Sequence, residues 1–349
     1  VGSFDLIGGV SVDHMAVWDG SIWDTILTPM ASFNYNPVSS ILKFEGNLVV
    51  SSTFEGLDNN SVNGRIIRKS DGIWVDYGSP DSGGWIRVKN GELYYVGGFN
   101  LIGGNSISKV AHWTGTNWEQ VGESLIWGDD INDYITCIEQ FDGDLILAGR
   151  FYLPNGFQNI VSWDGESLTE LGNGIYCGSA KVNDMIVYED VLYVGGVFYD
   201  GVNGGTNEAN HLMAWDGEKW FKPFPNLEFQ HSVTSFDIDN GYLYIAGIHR
   251  IGEEIVNRPV LRFDGTNVCS FGGTSIQNYS TGKIDVNDGD VYMITGGQPD
   301  FFGDPTNRVA HWIGLSMDTC QYHPISLGLN KIKPINSQPA NQIFLAANR

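Results

Sequence analysis

One sentence is written twice in this chain: VGGFNLIGGNSISKVAHWTGTNW at residues 96–118 is echoed at residues 1–23 as VGSFDLIGGVSVDHMAVWDGSIW. The shared core is W-D-G-x-x-W or a worn version of it. Its glycine falls at Gly20, Gly72, Gly115, Gly165, Gly217, Gly265 and Gly314, at intervals of 52, 43, 50, 52, 48 and 49 residues. A second anchor, an apolar segment running into G-x-F, is centred on Phe4, Phe54, Phe99, Phe151 and Phe198, and wears down to His249 and Gln298 in the last two copies. Two anchors in register seven times point to one architecture that grows by repetition rather than to unrelated domains.

Each unit of about 50 residues reads as four short strands. In the third complete copy these are CIEQF, a DGD turn into LILAGRF, a variable loop to IVSW, and a DG turn into ESLTEL. Alternating segments joined by Asp-Gly or Asn-Gly are the strongest short-range hairpin signal, because those residues accept the positive φ values of a type I′ turn. The composition agrees, with 45 glycines, 13% aromatics and only 17% charged residues. A four-stranded antiparallel unit of this length is a propeller blade. The expected fold class is therefore all-β, a seven-bladed β-propeller forming a single domain over residues 1–349.

The repeat supplies structural roles for its own residues. Trp18, Trp23, Trp74, Trp113, Trp118, Trp163, Trp215, Trp220 and Trp312 occupy equivalent positions, so they are expected to wedge between neighbouring blades. The aspartates Asp19, Asp71, Asp164, Asp216 and Asp264 are expected to shape hairpins. The stretches LYYVGGFNLIGG, VAHWTGTNWEQVG and HLMAWDGEKW resemble the kelch-like WDG repeats of secreted and cell-surface bacterial proteins, and the resemblance covers essentially the whole chain. It implies a propeller used as a binding platform, and export to the cell surface of the kind seen in Bacteroidetes.

Residues 39–314 and a little beyond hold six complete units, while the N-terminus supplies only the third and fourth strands of another, HMAVW and SIWDTIL. The missing pair is expected from residues 329–349, so that one blade is closed by strands from both termini and no sheet edge is left open. The alternative for that segment is a decayed sorting tail, since PANQIFL is similar to part of a type IX export signal.

Strand alternation sends the tight turns to one end of the sheets and the long connections to the other, where function concentrates. Trp85, Trp127, Tyr152, Phe157, Tyr199, Tyr279, Phe301 and Phe302 fall at that long-loop face and are the candidate ligand-binding residues. Exposed aromatics rimmed by polar groups suit a glycan or a protein partner. In WGDDINDY, Asp129, Asp130 and Asp133 are the candidate metal ligands, with calcium the cofactor that closely spaced carboxylates would take. The positions where first strands open onto a channel mouth are Ser40, Trp85, Cys137, Asp184, Ser235 and Lys283, a chemically mixed set with no ring of like ligands or bases.

Two other function classes stay open at this point. A polysaccharide-active enzyme would need convergent carboxylates, and a metal oxidase would need a Tyr, Cys and His constellation, for which His211, His231 and His249 fall near the long-loop ends of consecutive strands. A structural subunit of a surface assembly is the third. The net charge of −22 disfavours nucleic acid and anionic membranes as partners, and there is no apolar run of roughly 20 residues for direct membrane insertion. The chain begins at Val1, which leaves room for a removed leader. Cys137, Cys177, Cys269 and Cys320 lack zinc-site spacing and are expected as buried thiols or one or two disulfides, with Cys137 and Cys177 placed at the same face.

Overall fold

The computed structural model describes residues 6–7, 10–11, 15–18, 22–25, 38–56, 62–122, 132–175, 181–198, 211–229, 232–251, 258–271, 281–295, 309–312 and 323–324. Every regular element among them is a strand, and every strand pairing for which a register is defined is antiparallel. The described residues fall into two compact units. One holds those up to Thr136 together with Phe151–Pro154, and the other holds Cys137–Arg150 and those from Asn155 onward.

In the first unit, sheet 1 runs in chain order through Ser40–Phe44, Asn47–Gly56, Val62–Ser70 and Ile73–Gly78. Sheet 2 orders Gly84–Lys89, Glu92–Gly97, Val110–Trp113 and Trp118–Gln120 in the same way. The short pair Ala16–Trp18 and Trp23–Thr25 is the N-terminal half-unit expected from the repeat. Sheet 3, most of whose residues belong to the second unit, comprises Tyr134–Phe141, Asp144–Tyr152, Gln158–Trp163 and Leu168–Glu170.

In the second unit, sheet 4 comprises Lys181–Tyr188, Val191–Val197, Leu212–Trp215 and Trp220–Phe221. Sheet 5 has Ser235–Asp239, Tyr242–Ile251, Arg258–Phe263 and Asn267–Phe271, extended by Leu227–Phe229 on one edge and His323–Pro324 on the other. Sheet 6 pairs Thr281–Asn287, Asp290–Thr295 and Val309–Trp312. Five four-stranded meanders and a three-stranded sixth are an arrangement compatible with propeller blades. The closing segment 329–349 lies outside the described residues.

The hairpins form where Asp-Gly and its relatives stand. Glu45-Gly46, Asn90-Gly91, Asp142-Gly143, Asn240-Gly241 and Asp288-Gly289 join first to second strands with both residues at positive φ. That is the mirror-image turn whose twist matches the strands it connects. Sheet 4 makes the same turn with Glu189 at φ 50° and Asp190 at φ 60°, without glycine. Between third and fourth strands the motif aspartate works through its side chain. Asp164 Oδ1 accepts the N–H of Glu166 and Ser167 at 2.8 and 2.7 Å, and Asp216 and Asp264 repeat the pattern. In sheet 2, Thr114 Oγ1 takes over by accepting the Asn117 N–H at 3.2 Å.

The second strands read as unbroken apolar runs because both of their faces are covered. Leu192 and Val194 pack with Ile146, Ala148 and Ile160 of sheet 3, while Val191 and Tyr193 pack with Leu243, Ile245 and Phe263 of sheet 5. Tyr244 and Ala246 then face Ile284, Val291 and Met293 of sheet 6. In the first unit Phe44, Val49, Ile66 and Tyr77 of sheet 1 meet Ile86, Leu93, Tyr95 and Trp118 of sheet 2. Tyr95, Tyr193 and Tyr244 are each no more than 1% exposed. Burying such a side chain contributes about 2–3 kcal/mol.

The motif tryptophans do bridge sheets. The Trp118 indole N–H donates to the Tyr77 carbonyl of sheet 1 at 2.8 Å, and the Trp220 indole N–H donates to the Leu171 carbonyl at 3.0 Å. A glycine follows each acceptor: a Cβ on Gly78 would lie 2.6 Å from Trp118 Nε1, and one on Gly172 would lie 2.3 Å from Trp215 Cζ3. The glycine removes a methyl so that the next sheet's indole can seat.

Candidate functional site

The leading ends of the first strands, where the long connections arrive, carry a recurring polar ladder. Ser39 Oγ donates to the Gly84 carbonyl at 2.8 Å, and the Ile86 N–H donates to Ser40 Oγ at 2.9 Å. At the matching positions of sheets 4 to 6, Thr234 Oγ1 donates to the Gly282 carbonyl at 2.8 Å and the Phe236 N–H donates to Asp184 Oδ2 at 3.2 Å. A side chain on one first strand thus satisfies a backbone group on the next, which an edge strand otherwise leaves unpaired.

Asp184 does more. Its Oδ2 also receives the Lys283 ammonium at 3.0 Å, so sheet 6 touches sheet 4 past sheet 5. Sheets stacked face to face stand about 10 Å apart, which would put sheets 4 and 6 about 20 Å from each other. A direct ion pair across that gap requires the three sheets to fan out from a shared line at their first strands. The pair is one-third exposed on the lysine side and mostly buried on the aspartate side.

Around it the cations gather. Burial pushes the Lys181 ammonium below its usual pKa, and the nearby positive charges of Lys283 and Arg150 push the same way, against an opposing effect from Cys137. Lys181 opens the first strand of sheet 4 opposite Val197, and Arg150 stands exposed near the end of the second strand of sheet 3. Among the described residues Arg150 makes no hydrogen bond or ion pair. Cys137 is a buried free thiol whose Sγ lies 3.9 Å from the Ala148 carbonyl. Asp184, Lys283 and Cys137 each fall at channel-mouth positions of the repeat, whereas the sequence did not mark Lys181 or Arg150.

Of the aromatic candidates, Tyr152 is 59% exposed at the end of its strand, and Trp85 and Phe157 are half-buried. Trp85 pairs with Val96 inside sheet 2. Trp127, Tyr199, Tyr279, Phe301 and Phe302 lie outside the described residues, as do Asp129 and Asp130 of the calcium candidate. Asp133 is buried and engaged with other groups. No group of three metal-ligating side chains occurs among the described residues.

The histidines are occupied structurally. His249 is fully buried, with Nδ1 donating to the Gly247 carbonyl at 2.9 Å and Nε2 hydrogen-bonded to Ser270 Oγ at 2.6 Å. Since the carbonyl can only accept, Nδ1 carries a proton. His211, itself at φ 69°, accepts the Phe198 N–H at Nδ1 at 3.3 Å. His231 lies outside the described residues. Cys137 is a free thiol, and Cys269 is held in a disulfide.

These features define an all-β protein of repeated antiparallel sheets with a polar ladder linking their first strands. No protein-family model matches the sequence, and no curated protein matches it. Among solved structures, the chain is similar to the extracellular domain of the one-component system BT4673 from B. thetaiotaomicron at 13% identity and a TM-score of 0.48, covering 82% of this chain and 33% of that one. The phage phi92 endosialidase is similar at 14% identity and a TM-score of 0.36, covering 92% and 64%. The computationally designed Ika8 protein is similar at 12% identity and a TM-score of 0.43, covering 79% and 71%. The chain thus spans about a third of the first of these structures.

Proposed function

We propose that the chain is a kelch-like, seven-bladed β-propeller, closed by strands from both termini, that serves outside the cytoplasm as a platform binding a glycan or a protein at its long-loop face. The observation that carries the reading is the Asp184–Lys283 ion pair. Sheets that converge on one line at their first strands and spread outward are blades, and seven repeats of one blade complete a ring. A ring of this kind holds its long connections on a rigid frame, which favours recognition. Tyr152, an exposed aromatic at the end of a second strand, is the described residue best placed to contact a ligand. The disulfide at Cys269 supports an oxidising compartment, where such bonds persist.

The test is capture on a glycan array and from a panel of cell-surface proteins, with the wild type beside Tyr152→Ala. Specific capture that the variant loses supports the reading; no capture by the wild type on either panel overturns it. Image averages of single particles that lack seven lobes would overturn the ring.

A further inference from the structure

Sheet 1 ends differently from its neighbours. The last strands of sheets 2, 3 and 4 are Trp118–Gln120, Leu168–Glu170 and Trp220–Phe221, of three, three and two residues. Edges that short offer little for another strand to pair with. Sheet 5 has a longer last strand, the five residues Asn267–Phe271, and there the chain itself adds a further strand: Asn267 pairs with Pro324 and Val268 with His323. The longest is that of sheet 1, the six residues Ile73–Gly78, and among the described residues it is the outermost strand of its sheet.

Its side chains depart from the repeat as well. The residue before the motif tryptophan position is Asn117, Ser167, Lys219 and Asn267 in sheets 2 to 5, polar in every case. Sheet 1 has Ile73 there, 60% exposed, and Val75, on the same face two residues on, is 40% exposed. The N-terminal half-unit carries an exposed Ile22 at this position, but the strand that follows spans only three residues. Trp74 and Tyr77 are buried and anchor the strand of sheet 1, with Trp74 engaged and the Lys69 ammonium 5.5 Å from the centre of its ring. On the neighbouring strand Arg68 lies 3.7 Å from the Glu45 carboxylate. With these cations engaged, the charges exposed at the edge and its turn are Asp76, whose carboxylate the Gly78 N–H holds at 2.9 Å, and Asp71.

We propose that the Ile73–Gly78 edge is a docking site for an extended segment of a partner protein. The segment adds a strand to sheet 1, sets branched aliphatic side chains against Ile73 and Val75, and carries lysine or arginine at the alternate positions to meet Asp76 and Asp71. A second copy of this chain suits the edge less, because it would bring its own two aspartates and a net charge of −22 against the same charge. The site lies beside the tight Asp71-Gly72 turn rather than among the long connections, so it goes beyond the reading of the long-loop face.

The experiment is fluorescence anisotropy of the full chain with a labelled heptapeptide of alternating lysine and valine. A lysine–serine peptide removes the aliphatic groups, and a glutamate–valine peptide reverses the charge. Saturable binding is expected of the lysine–valine peptide alone. Its affinity should fall by about tenfold in the double variant Ile73→Thr with Val75→Thr, which keeps the net charge and the strand preference. Leu101→Thr, at another exposed apolar site, should bind as the wild type does. The single Ile73→Thr variant, expected to lose about threefold, keeps the test open should the double variant fail to fold. Absence of lysine–valine binding, equal affinity for either control peptide, or unchanged affinity in the variants overturns the proposal. So does a dimer of the free chain in sedimentation that the double variant abolishes, which would assign the edge to a second copy. Array capture and its loss in Tyr152→Ala read the long-loop face independently.

Discussion

The indole N–H of Trp118 reaches across from sheet 2 to the carbonyl of Tyr77 in sheet 1 at 2.8 Å, and Gly78 keeps the approach open. The same relation joins Trp220 to Leu171, with Gly172 as the clearing. The motif W-D-G-x-x-W is thus half of a joint whose other half is the glycine ending the previous copy. Sheets 3 and 5 carry Leu168 and Val268 at the tryptophan position, which have no indole N–H to donate.

That joint predicts unequal costs for two substitutions. Trp118→Phe keeps most of the ring but leaves the Tyr77 carbonyl without its donor, and should cost about 1–2 kcal/mol. Gly78→Ala places a methyl 2.6 Å from Trp118 Nε1 at a residue with φ 141°, and should cost more, about 2–4 kcal/mol. Urea unfolding of each variant measures the difference. A Gly78→Ala variant as stable as the wild type would show that the indole is not confined.

Asp237 predicts a pH dependence. Burial pushes its pKa up to about 7, with the Asp285 charge adding to the rise, although the Val286 and Ile238 N–H groups favour its ionised form. A carboxyl raised in the folded state favours folding while it stays protonated. Its contribution is full below the ordinary carboxylate range and is lost as pH climbs from about 4 to about 7. Asp237→Asn should therefore flatten the stability profile over that interval and raise stability above pH 7 by on the order of 1–3 kcal/mol. Thermal melts from pH 4 to 8 test it, and parallel profiles for the two proteins would exclude the effect.

The turn of sheet 4 should accept improvement. Asp190 stands at φ 60° where five matching turns place glycine. Asp190→Gly removes the left-handed penalty, and also one acidic neighbour of Glu189, whose pKa is raised by burial first and then by Asp264 and Asp190. A gain of about 0.5–1 kcal/mol in chemical unfolding is expected. A loss would mean that the Asp190 side chain holds the turn by contacts of its own.

The cysteines give a chemical check. Non-reducing peptide mapping should find Cys269 in a disulfide and Cys137 as a thiol that reacts with iodoacetamide only after unfolding. The partner of Cys269 is Cys177 or Cys320, and the map distinguishes them. Rapid labelling of Cys137 in the native protein would contradict its burial.

Strands and turns were legible because their causes are local. The apolar runs in EDVLYVGG and NGYLYIAG, and positive φ at Asn-Gly and Asp-Gly, are properties of a few consecutive residues, and the repeat multiplied the signal. The hairpin role of Asp164, Asp216 and Asp264 was readable for the same reason, since each carboxylate bonds N–H groups two and three residues on. Tertiary structure alone decided which polar groups meet. Asp184 and Lys283 are 99 residues apart, and nothing in either neighbourhood marks them as partners. Convergence of the first strands brings them to 3.0 Å. It also turns His249, a candidate ligand in one dimension, into a buried ring with its nitrogens hydrogen-bonded to Gly247 and Ser270. Local sequence determines backbone shape; the electrostatics of a site depend on distances between sheets, and those exist only once the apolar faces have packed.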